Sequence, residues 1–227
     1  YSHMSRAQIQ TACEVGEELL GVARQLQDPM LLLEAHRTLV APLTILGEFG
    51  LALTHAQHGL ALYNPQQMRA HALRYGQDSG VTCRLFGAWC LWLLGYPDQA
   101  RQWSEAALTD AQRLLHAFTL AQTLLFSAVL YQLRREAAVV QERAEAERAL
   151  CTEHGFAYYL AWGTLLRGWA LAAQGEWAEG IAQIREGLAT WRAIGARTVW
   201  PWFLALLAEA CGRAEQVEEG LRALDEA

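Results

Sequence analysis

The sequence predicts an all-α fold, built as an array of antiparallel helical hairpins. Apolar residues recur at helical spacing along almost the whole chain, whereas period-two alternation never persists over a run bounded by turn residues. Short turns of similar composition, such as Leu94–Ala100, interrupt the helices at regular intervals. Small side chains stand at fixed distances from these turns. We therefore expect a right-handed superhelix of about eleven or twelve helices.

The turns define a repeat. We take the hinges as Gly47, Gly95, Arg134, Gly175 and Glu215, which lie 48, 39, 41 and 40 residues apart. An insert at residues 64–78 explains the longer first interval. Small residues or valine stand seven positions before each hinge, and five and twelve positions after it: Val40, Ala88, Ser127, Gly168 and Ala208; Ala52, Ala100, Val139, Gly180 and Gly220; Gly59, Ala107, Ala146, Gly187 and Ala227.

This pattern resembles the tetratricopeptide repeat, stretched from 34 residues to about 40. Small side chains at a helix crossing allow two backbones to approach closely, as stacked hairpins require. We expect one repeat domain at residues 5–227, with about five hairpins behind a leading lone helix. Residues 1–4 contain Ser2-His3-Met4, which is typical of a cloning scar.

Composition excludes several function classes. A net charge of −6 argues against non-specific nucleic-acid binding, which needs a basic face. The 5 cysteines form no Cys-x-x-Cys pair, which fits a reduced, cytoplasmic compartment. No apolar run approaches the roughly 20 residues that cross a bilayer, so we expect no membrane association.

Aromatic residues recur on one face of the first helix of each hairpin. Positions 13, 10, 6, 3 and 2 residues before a hinge cover an arc of about 100° on that helix. In tetratricopeptide arrays these helices line a concave groove. The aromatic set on this face comprises Trp89, Trp92, Tyr131, Trp162, Trp169 and Trp202.

A solvated groove would carry charge, so the aromatic set predicts a surface that binds a peptide, a protein or a small apolar or aromatic ligand. The alternative is that neighbouring repeats bury these rings as core. A second candidate surface is the insert patch, formed by Arg69, His71, Arg74 and Tyr75. Inserts in repeat arrays lie on a functional face or serve as turns, and the sequence leaves both readings open.

No motif predicts catalysis, a metal or a cofactor. The sequence contains no phosphate-binding loop, no Gly-x-Ser-x-Gly elbow and no His-Glu-x-x-His. His55 and His58 could share a metal with His71, but no carboxylate or cysteine stands at ligand spacing beside them. We therefore expect no metal site and no enzyme activity in this chain.

Several longer stretches carry a more specific resemblance: Asn64-Pro65-Gln66-Gln67, Tyr75-Gly76-Gln77-Asp78, Leu91–Ala100, Gln132–Glu136, Gly168–Leu171 and Leu206–Ala210. Together they resemble the C-terminal repeat region of bacterial signalling proteins that join a class III nucleotide cyclase, a STAND-type ATPase and tetratricopeptide repeats. The resemblance covers nearly all of residues 5–227, with departures at Ser79, Cys83 and Cys90.

The resemblance implies a sensor and interaction module that restrains the ATPase domain of the same polypeptide. No binding residue transfers with it, because none of the family's binding residues is identified by these stretches. The alternative is the repeat domain of a MalT-like transcription activator that binds an inducer or a partner protein. An enzyme with a small substrate in the groove is a more distant reading. Repeat ends that expose apolar faces would favour a homodimer.

Overall fold

The structure is a computed structural model that describes residues 8–64, 66 and 68–227, with the backbone alone at Met68, Arg69 and His71. The predicted cloning scar at residues 1–4 lies outside the described residues. The described residues form twelve helices and no strand: α1 Ile9–Leu26, α2 Pro29–Ile45, α3 Phe49–Leu62, α4 Met68–Tyr75, α5 Ser79–Leu93, α6 Pro97–Leu114, α7 Ala117–Leu133, α8 Ala137–His154, α9 Ala157–Ala173, α10 Trp177–Ala193, α11 Trp200–Arg213 and α12 Val217–Glu226.

The predicted fold class, an all-α array of antiparallel hairpins, is confirmed. The described chain divides into two compact units, at residues 8–130 and 131–227. In the first unit, α1 packs on α2, α2 on α3, α3 on α5 and α5 on α6. In the second unit, each helix from α8 to α12 packs on the next, and α9 also contacts α11. Contact between the first helices of successive hairpins is typical of stacked helical repeats.

Two helices begin at an aspartate whose side chain forms an N-cap. Asp28 precedes Pro29, and its Oδ1 accepts hydrogen bonds from the backbone N of Met30 at 2.8 Å and of Leu31 at 3.2 Å. Asp78 precedes α5, and its Oδ1 accepts from the backbone N of Val81 at 2.8 Å. These bonds satisfy N–H groups that have no partner within the helix, so the two carboxylates fix where α2 and α5 begin.

Each hairpin turns through one residue in the left-handed region. Gly47, Gly95 and Gly175 have φ of 84°, 88° and 97°. Glycine adopts this conformation without a steric penalty, which explains its recurrence at the hinges. The equivalent residues in the other two turns are not glycine: Arg135 has φ 64° and Glu215 has φ 61°.

The third hinge is therefore Arg135, and the choice of Arg134 was wrong by one position. From Gly95 onward the left-handed hinges lie at 95, 135, 175 and 215, a strict period of 40 residues. The turns that connect successive hairpins keep the same period, with positive φ at Leu115, Gly155 and Gly195. Two adjacent arginines with no glycine gave no local signal for the register, because both can occupy a polar turn.

The small residues predicted at the helix crossing make close backbone contacts. At Gly168 on α9, a Cβ would lie 2.7 Å from the carbonyl O of Gly180 on α10. At Gly180, a Cβ would lie 2.6 Å from the backbone N of Ala172 and from the carbonyl O of Gly168. Because the atoms that a Cβ would meet belong to the backbone, rotating a side chain could not relieve the overlap. The absence of both side chains therefore sets the distance between α9 and α10.

One position breaks the small-residue rule. Counted from Arg135, the residue twelve positions after the hinge is Glu147, which is fully buried on α8. Its Oε1 accepts from the Cys151 thiol at 2.9 Å. Its Oε2 occupies the space that a side chain at Gly163 would fill, and has no hydrogen-bond partner among the described residues. Burial raises the pKa of Glu147 to about 8.

The close approach of α9 and α10 predicts the effect of adding one methyl group. We expect Gly180→Ala to lower the free energy of unfolding by about 1–3 kcal/mol, because the Cβ would force two backbones apart. The matched control is Gly212→Ala in α11, where a Cβ meets nothing within 4 Å. That substitution should leave stability unchanged or raise it by about 0.5–1 kcal/mol through helix propensity. Urea unfolding checks both, and an equal effect of the two substitutions would contradict this packing.

Candidate functional site

The structure places the two tryptophans of the aromatic set in unit 1, Trp89 and Trp92, at partly buried positions on α5. The Trp89 Nε1 donates to the Phe126 carbonyl O at 2.9 Å, and its ring meets the Phe126 ring edge-on with centroids 5.2 Å apart. Trp92 packs against a buried cluster that includes Ala88 and Leu91. Both rings therefore have one edge in the core and part of their surface exposed.

Three members of the aromatic set in unit 2 are buried. The exposed fractions of Tyr131, Trp162 and Trp169 are 5%, 4% and 2%. The guanidinium of Arg143 lies 4.3 Å from the Tyr131 ring centroid. With Arg135 as the hinge, Gln132 takes the position equivalent to Trp92. The ligand-binding role of these three rings stays a prediction.

Trp202 is the half-buried member of the aromatic set in unit 2. It forms the outer edge of an aromatic cluster in which the Trp162 ring lies 6.3 Å from the Trp202 ring and 5.6 Å from the Trp191 ring. Phe203 completes this contact, with its centroid 5.5 Å from that of Trp162. The edge-to-face arrangement of these rings adds stability beyond the apolar area they bury. The rings of Trp162 and Phe203 thus hold Trp202 in a fixed orientation, and part of the Trp202 surface stays exposed.

Three side chains of unit 2 converge on the carboxylate of a fourth, and we call the four the Glu209 network: Glu209, Trp169, Arg135 and Arg213. Glu209 accepts from Arg135 Nη1 through both oxygens at 2.6 Å and from Arg213 Nη2 at 3.0 Å. It also accepts from the Trp169 Nε1 at 3.3 Å. Burial acts to raise the pKa of Glu209, but the hydrogen bonds from Arg135 and Trp169, together with the charges of Arg135 and Arg213, outweigh it and the pKa is lowered.

The Glu209 network lies where the sequence predicted a groove. Trp169 and Glu209 both stand six residues before their hinges, Gly175 and Glu215. The side chains of Arg135 and Arg213 are 59% and 48% exposed, so both guanidiniums remain open to a partner. The sequence pattern places Glu209 and Arg213 on this face but did not indicate Arg135 as their partner, since the contact between Arg135 and Glu209 spans 74 residues and only the hinge register could have indicated it.

The insert patch is only partly described. Arg74 is exposed, with its guanidinium carbon 5.4 Å from the centroid of the half-buried Tyr75 ring. The side chains of Arg69 and His71 lie outside the described residues. A functional role for the insert patch therefore stays a prediction.

Of the histidines considered as metal ligands, His55 forms a buried contact with His36, whereas His58 is exposed. The Nδ1 atoms of His36 and His55 lie 3.0 Å apart, and the His58 ring centroid is 5.3 Å from that of His36. One imidazole must donate and the other accept, so the accepting imidazole is neutral. Burial, together with the neighbouring His55, His58 and Arg24, lowers the pKa of His36 to about 4. No group of three His, Cys, Asp or Glu in the described part of the chain could hold a metal.

Comparisons with known proteins agree with a repeat fold. No family model matches the chain. An uncharacterized protein of Rhizobium meliloti strain 1021 is 26% identical over 170 residues, which cover 74% of this chain and 16% of that protein. The chain therefore spans about a sixth of the length of this relative. None of the described helices is long and apolar enough to cross a membrane.

The similar solved structures are helical repeat proteins. A Rap protein complexed with Competence and Sporulation Factor has a TM-score of 0.73 at 13% identity, covering 99% of this chain and 71% of that one. BtubC from P. vanneervenii has a TM-score of 0.64 at 14% identity, covering 97% and 88%. A Podosopora anserina chain described as a kinesin light chain with nearly identical TPR-like repeats has a TM-score of 0.59 at 18% identity, covering 87% and 93%. The fold is thus tetratricopeptide-like.

Burial predicts different costs for truncating two rings of the aromatic set. Trp169→Ala leaves a cavity under the Glu209 network and should cost about 3–5 kcal/mol, or roughly 6 °C or more in melting temperature. Truncating the half-buried Trp202 to alanine should cost less than about half of that free energy. Thermal melting followed by circular dichroism measures both. Near-normal melting of Trp169→Ala would contradict its assignment to the core and leave that ring available for ligand binding.

The buried histidine pair predicts an acid-sensitive stability. Unfolded His36 gains a proton near pH 6.5, whereas the folded form resists until about pH 4. The folded state therefore binds fewer protons in this window, and stability is lost as pH falls. We expect His36 to contribute a loss of about 2 kcal/mol between pH 7 and pH 5, obtained from urea unfolding as the difference from His36→Gln. Exposed His154→Gln is the control, and an unchanged pH profile in His36→Gln would contradict the account.

Proposed function

We propose that this chain is the interaction module of a longer signalling protein and acts by binding a protein segment rather than by catalysis. The tetratricopeptide-like fold supports this proposal, because such repeats serve as extended binding surfaces. The Rap protein, whose similarity covers 99% of the present chain, is itself complexed with Competence and Sporulation Factor. The proposed binding surface is the face of unit 2 that carries the Glu209 network and Trp202.

The Glu209 network is the observation that carries this proposal. Two arginines meet at one carboxylate, so the network holds one more positive than negative charge. A carboxylate of a partner could pair with the open guanidinium of Arg135 or Arg213 without leaving Glu209 unpaired. Trp202 offers a rigid, half-exposed ring on the same helix face. Rigid aromatic and arginine side chains are the groups that dominate binding energy at protein interfaces.

The partner in this proposal is the ATPase domain of the same polypeptide. The sequence resembles the repeat region of proteins that combine a cyclase, a STAND-type ATPase and repeats. The Rhizobium relative, of which the chain covers 16%, supports a place within a much longer protein. Binding of the repeats would hold the ATPase in one state, and a ligand or partner that competes for the same face would release it.

Charge reversal at the network tests the proposal in the full-length protein. We expect Arg135→Glu to change the rate of ATP hydrolysis by about 5-fold or more, because a coupling free energy between two sites is typically of that size. The matched control is Arg167→Glu, which breaks an ion pair with Glu145 elsewhere in unit 2. The control should leave ATP hydrolysis unchanged.

A binding measurement separates the proposed interaction with the ATPase domain from the proposed regulation of that domain. Titration calorimetry between this chain and the separately produced ATPase domain should show binding that Arg135→Glu weakens about 10-fold or more. Binding without any effect on ATP hydrolysis would contradict the regulatory role but remain consistent with an interaction module. Absence of binding, with both proteins folded by circular dichroism, would contradict the ATPase domain as the partner.

A further inference from the structure

A pair of adjoining cavities lies in unit 2 between α10, α11 and α12, and we call the pair the basic cavity. The larger cavity, of about 500 Å³, lies at the turn from α10 to α11. The smaller, of about 310 Å³, runs between α10 and α12 over the side of α11. Arg192 and Trp200 line both and mark where they meet. These volumes fall within the range of small-molecule sites.

The charge of the basic cavity is opposite to that of the chain. Its walls contain Arg185, Arg192, Arg197 and Arg222 but only Glu219 and Glu226, whereas the whole chain has a net charge of −6. Each of the two glutamates pairs with one arginine: Arg185 with Glu219, and Arg192 with Glu226.

Arg197 and Arg222 have no ion-pair partner among the described residues and are exposed. Two positive charges therefore remain without compensation, one in each cavity. An anion that enters either cavity can therefore pair with a guanidinium that is not already bound to a carboxylate of the chain.

The floor of the basic cavity is apolar. Leu188 lies on α10, and Leu204 and Leu207 lie on α11. Trp200 is half-buried at the junction, with the guanidinium carbon of Arg192 at 4.9 Å from its ring centroid. The indole is thus held in place by a cation on one side and leaves an apolar path toward the leucines. A ligand that fits must combine an anionic group with an apolar body.

The basic cavity is separate from the Glu209 network. Both use α11, but Trp200, Leu204 and Leu207 lie on one side of the helix, whereas Trp202 and Glu209 lie on the other, at about 100° per residue. The inference below therefore does not rest on the proposed function.

We propose that the basic cavity binds an aromatic carboxylate. The carboxylate pairs with Arg197 in the larger cavity, and the aromatic ring lies along Trp200 toward Leu204. Two sources share this chemistry: a free aromatic acid, and the C-terminal residue of a peptide that ends in an aromatic side chain. The positive charge of the walls selects against the corresponding neutral amides.

An aromatic anion with a fluorescence signal provides the first probe. Titration of the chain with 8-anilinonaphthalene-1-sulfonate should give saturable binding at one site per chain. We expect Arg197→Gln to weaken this binding about 10-fold or more, since it removes one charge-assisted hydrogen bond. Arg197 is exposed and unpaired, so the variant should fold normally. The matched control is Arg101→Gln, an exposed arginine of α6 in unit 1, which should change the affinity less than about 2-fold.

Competition identifies the chemistry of the site. Naphthalene-1-acetate and the tripeptide Gly-Gly-Trp with a free carboxylate should both displace the probe, and the C-terminal amide of the same tripeptide should not. Stronger displacement by the tripeptide indicates a peptide C-terminus as the source, and stronger displacement by naphthalene-1-acetate indicates a free acid. The proposal is overturned if the probe shows no saturable site, if Arg197→Gln and Arg101→Gln act equally, or if the amide competes as well as the acid.

Discussion

The left-handed hinge residue between the two helices of each hairpin is the constraint on which the rest of this structure depends. It lies within the three-residue turn that reverses the chain, and from Gly95 onward it recurs every 40 residues. Because the reversal is so tight, residues at fixed distances on either side of it must face each other. Gly168 and Gly180 meet in this way, and their missing side chains allow α9 and α10 to approach. The same register brings Glu147 into a buried position beside Gly163.

This register also explains how one helix can serve two surfaces. In α11, residues at spacings of three and four share one side of the helix, and two such series face opposite sides. One side carries Glu209, which gathers arginines from a turn and from its own helix together with the indole of Trp169. The other side carries Trp200 and the leucines of the basic cavity. Binding at either side would act on the same rigid element, so coupling between the two surfaces would need only a small movement of α11.

Much of the fold, but less of the site, could be predicted from the sequence. Helical periodicity and the glycine hinges were sufficient for the hairpins, and Asp28 and Asp78 are of a residue type that favours helix N-caps. The register failed at Arg134, because a left-handed arginine has no local signature. Burial of Trp169 and the contact between Arg135 and Glu209 depend on how repeats stack, and a periodic pattern gives the direction of a side chain but not what covers it.

The central claim, that a left-handed residue at each hinge sets the register, is tested most directly by exchanging residues at two hinges. Gly175 has φ 97° and a Cβ there would meet nothing within 4 Å, so Gly175→Ala isolates the backbone penalty. The account predicts that Gly175→Ala lowers the free energy of unfolding by about 1–2 kcal/mol, whereas Glu215→Gly, at φ 61°, raises it by up to about 1 kcal/mol. Urea unfolding of both variants measures these changes. A loss of stability in Glu215→Gly, or none in Gly175→Ala, would contradict the account.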